Sequence, residues 1–421
     1  MKYFLVGIKG TGMSALAKAL KTNNEEVFGS DKGTHYFTED SLKEYGIEIL
    51  EFNKLNIDKY LDCEFISSYA YDENNNEEIN RLKELNIKFY YYSEFINSYF
   101  KGIKIGVSGS HGKTTVSKIL SSFLKDSAYI IGDGSGFCFS GYKYFIIEAC
   151  EYKRHFLEYD YDYLIINNID YDHPDYYLSE EDYVNAFKEA SSKAKCIIVN
   201  GDNCNSRKIR HKNKYSFGFN RGNYCLINII EENARGFIVE YKINKTSYIF
   251  NLNFYGRHML YNFAPIVILF HLNKLNIKDI DLSKFQMPRL RMEEKTFKSN
   301  IVIDDYAHHP YEIKCLLDSL KQKYPSYDFV TIFQPHTYSR TFKFKNEFSV
   351  LFDNVYESYI AKTFTSREAY DKSKERKVKR IFKKCKYITT DDFKKICKYE
   401  NKLIIFIGAG DTHSDKLFSF S

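Results

Sequence analysis

Short apolar runs alternate with helical patterns from the first residue. KYFLVGI, EVFGSD, EFISSYA and KFYYYS read as strands, while SALAKALKT and EEINRLKEL carry the spacing of amphipathic helices. Strands separated by helices in this rhythm make βαβ units and therefore a parallel sheet. The rhythm restarts after Lys101 and Gly102, where KIGVSGS reads as a strand entering a glycine turn and TVSKILSSFLK as the following helix. Further strands are expected at YFIIEA, YLIINNI and CIIVNG, with helix in DYVNAFKEASSKA. From about residue 223 to 255, LINII, FIVEYKI and SYIFNLNF predict strands with little helix, an antiparallel addition to the second sheet. After the helical NFAPIVILFHLNKL, the strand NIVIDDY opens a third series that ends in KLIIFIGAG. The pattern predicts an α/β chain of three consecutive αβ domains, residues 1–101, 102–288 and 289–421.

Composition agrees. A chain of 421 residues is long for one core at ~150 residues per domain, and 44% hydrophobic with 28% charged residues is a globular balance rather than a disordered one. No run approaches the ~20 apolar residues of a membrane helix, and Gly and Lys interrupt the opening MKYFLVGIKG where a signal peptide would be continuous. A cytoplasmic protein without membrane contact is expected. Nine scattered cysteines without a CxxC read as reduced thiols. The net charge of +6 is spread over the chain, and the basic run Lys372–Lys386 reads as a solvated helix face, so no nucleic acid is expected as partner.

The chemistry gathers at strand ends. Gly109-Ser110-His111-Gly112-Lys113-Thr114-Thr115 joins a strand to a helix, where backbone N–H groups wrap nucleotide phosphates. Lys113 would reach the β and γ phosphates and Thr114 would offer its hydroxyl to Mg²⁺. The earlier loop, Gly7 to Ser14, has GxxGxG order and no GKT; it suits a diphosphate, or is simply a tight βα turn. Asp31, after the next strand, sits where a ribose-binding acid would. These loops predict a Rossmann-like first domain and a central P-loop ATPase domain, and the αβ series from NIVIDDY onward a Rossmann-like third domain.

Glu148 and Glu151 close the strand in IIEACEY, with Glu148 the better-placed magnesium partner. The next strand ends in NNIDYDHPD; His173 there is either a ligand for a softer metal position or a satisfied turn histidine. In the third domain DDYAHHP and FQPHTYSR end two strands, so Tyr306, His308 and His336 read as one site, and Arg291 and Arg340 suit bidentate binding of carboxylate or phosphate.

Together GIKGTGMSALA, GSHGKTT, EACEYKRHFL, NNIDYDHPDY, GRHMLYN, DDYAHHP, FQPHTYSRT and the final GAGD resemble the Mur ligases, ATP-dependent amide-forming enzymes of peptidoglycan precursor synthesis, over nearly the whole chain. EACEYKRHFL, DDYAHHP and FQPHTYSRT resemble the branch that joins L-alanine to UDP-N-acetylmuramate through an acyl phosphate; the alternative is the tripeptide-joining branch of cell-wall recycling. The resemblance implies ATP and Mg²⁺, a monomer or weak homodimer, and roles for individual residues. Gly10, Thr11 and Gly12 would lie at the UDP diphosphate, and Thr114, Glu148 and His173 at the metal. Asn262 would face adenine, Arg291 and Asp305 the nucleotide, and Tyr306, His308 and Arg340 the alanine and acyl-phosphate side. Ser110, Met259, Leu290 and Thr337 depart from the family's commoner Thr, Asn, Arg and Arg; the last leaves more of the work to Arg340.

Overall fold

The computed structural model describes residues 1–282, 285, 287, 291–366, 368–410 and 414–418. The expected boundary at 289, the departure at Leu290 and the closing Asp411 lie outside these residues. By contact the chain forms two compact units, one within residues 1–170, 184–224 and 265–285, the other within 171–183, 225–264 and 286–421.

The first unit holds two sheets. Strands β1 (Lys2–Val6), β2 (Glu26–Asp31), β3 (Glu48–Glu51), β4 (Glu64–Ser67) and β5 (Phe89–Tyr91) are all parallel in the order 3-2-1-4-5. The order reverses at β1, so the loop after β1 opens at the switch point where open α/β sheets bind ligands. Phe4, Val6, Phe65, Ile79 and Leu82 fill the core on one face. Helix α1 (Thr11–Thr22) follows the loop and buries Ala15, Leu16, Ala19 and Leu20.

Past Gly102 a second sheet begins: β6 (Ile103–Ser108), β7 (Ser127–Ile130), β8 (Gly136–Phe137), β9 (Tyr144–Glu148), β10 (Tyr161–Ile166), β11 (Ala194–Asn200) and β12 (Lys214–Gly218). Their order is 12-11-10-6-9-7-8, parallel except for β8. Central β6 lies between β9 and β10, with Val107 opposite Glu148 and Ser108 opposite Ile166. That register puts three strand ends beside the glycine loop leading into helix α2 (Lys113–Phe123).

The second unit contains the antiparallel meander β13 (Cys225–Asn233), β14 (Gly236–Ile243) and β15 (Thr246–Leu252), as the alternation predicts. Helix α3 (Arg257–Leu272) follows. Its other sheet is β16 (Glu293–Phe297), β17 (Asn300–Asp305), β18 (Phe329–Phe333), β19 (Glu357–Ile360), β20 (Lys386–Tyr387) and β21 (Leu403–Ile407) in the order 16-17-21-18-19-20, parallel apart from β16. LIIFI is apolar throughout because β21 feeds two cores: Leu403, Ile405 and Ile407 one, Ile404 and Phe406 the other. Helices α4 (Pro310–Lys323), α5 (Tyr338–Lys343) and α6 (Lys372–Ile381) complete what the site needs. The basic run forms α6, which buries only Glu375 and Val378. Among the described residues no helix is long and apolar enough to cross a membrane.

Short and edge strands escaped the pattern. EILE of β3 is nowhere fully buried, and β8 has two residues, too few for a period to register. Yet β8 fixes how α1 packs: a Cβ at Gly136 would stand 1.7 Å from the Ala15 carbonyl oxygen. The expected outcome for Gly136→Ala is a loss of about 1–3 kcal/mol or more in unfolding free energy, read by thermal or urea denaturation, because backbone faces the added methyl and neither side can turn away. A wild-type melting curve would refute the close packing of α1 on β8.

Candidate active site

The loop Gly109–Thr115 is held open by its neighbour strand. Asn168 accepts the His111 N–H at 2.8 Å and returns its amide to the His111 carbonyl at 3.1 Å, and Asn167 adds a bond to the same carbonyl at 3.0 Å. Ser110 Oγ donates to the Asp170 carbonyl at 2.6 Å and accepts the Asp170 N–H at 2.9 Å. A serine hydroxyl suffices for that exchange, which accounts for Ser110. Gly112 caps α2 at φ 82°, a left-handed conformation that glycine adopts without Cβ strain. The first N–H groups of α2 are thereby left without a side-chain cap.

Around this loop Thr114 and Glu148 come together as expected: Thr114 Oγ1 donates to Glu148 Oε1 at 3.1 Å, while Glu148 Oε2 accepts the Gly132 N–H at 2.9 Å. Desolvation pushes the Glu148 pKa up, opposed by Lys113. These are hard oxygen donors of the kind Mg²⁺ takes. Lys113 donates to its own loop at Gly109 O, 2.6 Å, and is paired with buried Glu151. Burial works against its charge, but Glu151, Cys150 and Glu148 together hold its pKa above the ordinary lysine value. Lys113 is therefore a firmly charged ammonium. Glu151 as its partner was missed from sequence; only its nearness to Glu148 hinted at it.

The first glycine loop is fastened to β2. Gly7 and Ile8 donate to the Ser30 carbonyl at 2.9 and 3.1 Å. Asp31 accepts the backbone N–H of Lys9 at 2.7 Å and of Lys32 at 2.8 Å, so its carboxylate clamps the loop. Lys9 Nζ reaches Glu39 at 2.8 Å and the Lys32 and Thr34 carbonyls, and thus turns into the protein. Neither Lys9 nor Glu39 was picked out by motif. Gly10, Thr11 and Gly12 start α1 without a side-chain cap, leaving its first N–H groups for a ligand.

In the second unit Tyr306, His308, His336 and Arg340 converge. The His308 ring lies 5.5 Å from Tyr306 and 5.2 Å from His336, and Arg291 sits 5.9 Å over Tyr306. Arg340 donates from Nη1 to His336 Nδ1 at 2.9 Å and from Nη2 to Asp172 Oδ1 at 3.1 Å. Burial opposes ionisation of Asp172, yet Arg340, His173 and His309 hold its carboxyl well below the usual range. Asp172 was passed over within DHPD. His173 stands beside it at φ 55°. Thr337, at φ 64°, is a β-branched residue in strained backbone, and its hydroxyl caps α5 by accepting the Arg340 N–H at 3.4 Å.

The two adjacent histidines of DDYAHHP divide their tasks. His309 caps α4, accepting the Tyr311 N–H, with Glu312 closing a capping box. His308 Nδ1 donates to the Tyr306 carbonyl at 3.0 Å, which leaves Nε2 as the lone-pair nitrogen. Asp305 Oδ2 and Oδ1 accept the Met292 and Ala307 N–H groups at 2.8 Å each, and burial raises its pKa against the pull of Arg291. Asn262 is buried on α3 and donates to Met259 Sδ at 3.6 Å, so the methionine at that departure still supplies an acceptor.

Comparison with known proteins returns three family models. Residues 2–102 match the model described as Mur ligase family, catalytic domain; residues 107–269 match the Mur ligase middle domain, and 290–410 the Mur ligase, glutamate ligase domain. The UDP-N-acetylmuramate–L-alanine ligase of Streptococcus gordonii is 37% identical over 97% of this chain and 95% of its own. The crystal structure of UDP-N-acetylmuramate-alanine ligase from Thermotoga maritima superposes with TM-score 0.80 at 22% identity, covering 98% of this chain and 96% of that one. A murein peptide ligase from Psychrobacter arcticus shares the fold at TM-score 0.72 and 19% identity, covering 100% and 98%.

Burial lowers the His308 pKa to about 4, with Glu312 opposing. A histidine whose folded value lies below its ordinary 6.5 withholds a proton that the unfolded chain binds, so stability is lost as pH falls from 6.5 toward 4. His308→Gln is therefore expected to lose less unfolding free energy than the wild type between about pH 7 and about pH 5 in urea titrations. An equal or greater loss would show that His308 is not held neutral.

Proposed function

The chain belongs to the Mur ligase family, and from that premise we propose that it joins L-alanine to the carboxylate of UDP-N-acetylmuramate with hydrolysis of ATP. The observation that carries the reading is the charged Lys113 at the head of α2, beside Thr114 bonded to Glu148. The acceptor rests on near full-length identity to a relative named for L-alanine.

The muramate carboxylate oxygen attacks the γ-phosphorus and ADP leaves; the alanine amine then attacks the acyl carbon, losing a proton as phosphate departs. Lys113 and the α2 N–H groups offset phosphate charge at the first step. Thr114 and Glu148 fit Mg²⁺ in donor type, with His173 the proposed third ligand; when bound, the ion supplies counter-charge to the phosphates. Arg340 suits the acyl phosphate, and neutral His308, with Nε2 as its acceptor, suits the proton of the incoming amine. Gly10, Thr11 and Gly12 take the diphosphate at the uncapped start of α1, with Asp31 fixing that loop near the ribose. Gly109, Ser110, His111, Gly112 and Thr115 line the ATP phosphates. Asn262, Arg291 and Asp305 serve the nucleotide, and Tyr306 and His336 the alanine side. We place domain boundaries at 102 and 289 and the enzyme in the cytoplasm, as a monomer or weak homodimer.

Phosphate release from ATP, Mg²⁺ and UDP-N-acetylmuramate is expected only when L-alanine is added. Release with the L-alanyl tripeptide in its place would assign the chain to the recycling branch. Lys113→Ala is expected to abolish release while circular dichroism keeps the wild-type fold and melting falls because buried Glu151 loses its partner, and turnover surviving in that variant would remove the lysine from the ATP site.

A further inference from the structure

Among the groups near the nucleotide loop, Glu151 has no place in the reaction outlined above. It lies three residues beyond Glu148, is 0% exposed, and approaches Lys113 Nζ with Oε1 at 3.0 Å and Oε2 at 2.9 Å. The same ammonium donates to Gly109 O at 2.6 Å and, more distantly, to Ser110 O at 3.3 Å. An ammonium has three N–H donors. With the loop carbonyls and Glu151 as partners, Lys113 is committed before any phosphate arrives. A phosphate must either displace the carboxylate or share the lysine with it.

Glu148, by contrast, spends its oxygens on Thr114 and Gly132. The two carboxylates of EACE are thus divided between the metal-type donors and the lysine. We propose that Glu151 is a positioning residue that competes with nucleotide phosphate for Lys113 and fixes where its charge is delivered during phosphoryl transfer. The inference rests on Lys113 belonging to the nucleotide site, as argued under the proposed function.

Two opposite effects follow. A buried carboxylate next to the phosphates repels them and occupies their donor, so it weakens ground-state binding of nucleotide. The same contact holds the ammonium on one line, and an interaction realised in the transition state raises kcat rather than affinity. A merely structural ion pair would affect neither in this pattern, since its loss lowers stability and weakens binding and turnover together.

The test compares wild type with Glu151→Gln, which keeps shape and one hydrogen bond, and with Glu151→Asp, which keeps the charge but shortens the reach. ADP binding is measured by calorimetry without and with Mg²⁺, alongside kcat and melting. Glu151→Gln is expected to bind metal-free ADP about tenfold more tightly and to lose about tenfold in kcat, while Glu151→Asp keeps metal-free affinity within about twofold and still loses kcat. Weaker or unchanged metal-free binding by Glu151→Gln overturns the proposal. So does a loss of binding seen only with Mg²⁺, which would make Glu151 a metal ligand. No ADP binding by wild type would remove the nucleotide site itself, a failure distinct from one confined to the variants.

Discussion

A glycine loop can wrap a phosphate only if its backbone is held in the wrapped shape before the phosphate arrives, and here β10 does the holding. Asn167 and Asn168 return the His111 carbonyl and N–H, and Asp170 closes on Ser110. Peptide groups that would otherwise satisfy one another within the loop are satisfied from the side, so the start of α2 stays free to face a ligand. The order of the sheet makes this possible: β6 is flanked by β9, which delivers Glu148 and Glu151, and by β10, which delivers the asparagines. Three parallel strands ending at one level gather residues that the chain separates by some sixty positions.

Charge in both units is handled in the same way, by confining ions in pairs. Lys113 with Glu151, Lys9 with Glu39 and Arg340 with Asp172 are each largely shielded from water. Deleting one partner of such a pair strands the other, at about 3–5 kcal/mol, whereas the intact pair adds little net stability. Their value lies in direction. Lys9 is turned inward, which removes it from the first loop, while Lys113 and Arg340 are aimed by their partners.

Legibility in the sequence followed the range of the interactions. Continuous apolar strands such as LIIFI and the alternating meander declared themselves because burial sets their period locally. The Gly109–Thr115 loop was readable for the same reason: strand, glycines, lysine and helix are adjacent in the chain. Tyr306, His308, His336 and Arg340 were legible as strand-end residues, and the structure gathers them. What could not be read were tasks set by distant partners. The split between His308 and His309 is no such case, since Pro310 and Glu312 mark His309 locally as the cap of α4. Asp31 sits where a ribose acid would, and its use as a clamp depends on how Lys9 folds back over β2. Glu151 and Asp172 likewise acquire meaning only when sheet register brings Lys113 and Arg340 to them.

The notch at Gly136 bears on how such chains can be recombined. Helix α1 belongs to the first sheet's layer, yet the Ala15 carbonyl rests where a side chain of β8 would be, and Lys18 donates to the Gly134 carbonyl at 2.7 Å. The layer of the first sheet is therefore not an interchangeable module that ends at residue 101. Its surface is shaped jointly with residues 132–136, so a first domain borrowed from a relative would carry over its fold but meet an ill-fitting wall unless that short hairpin travelled with it.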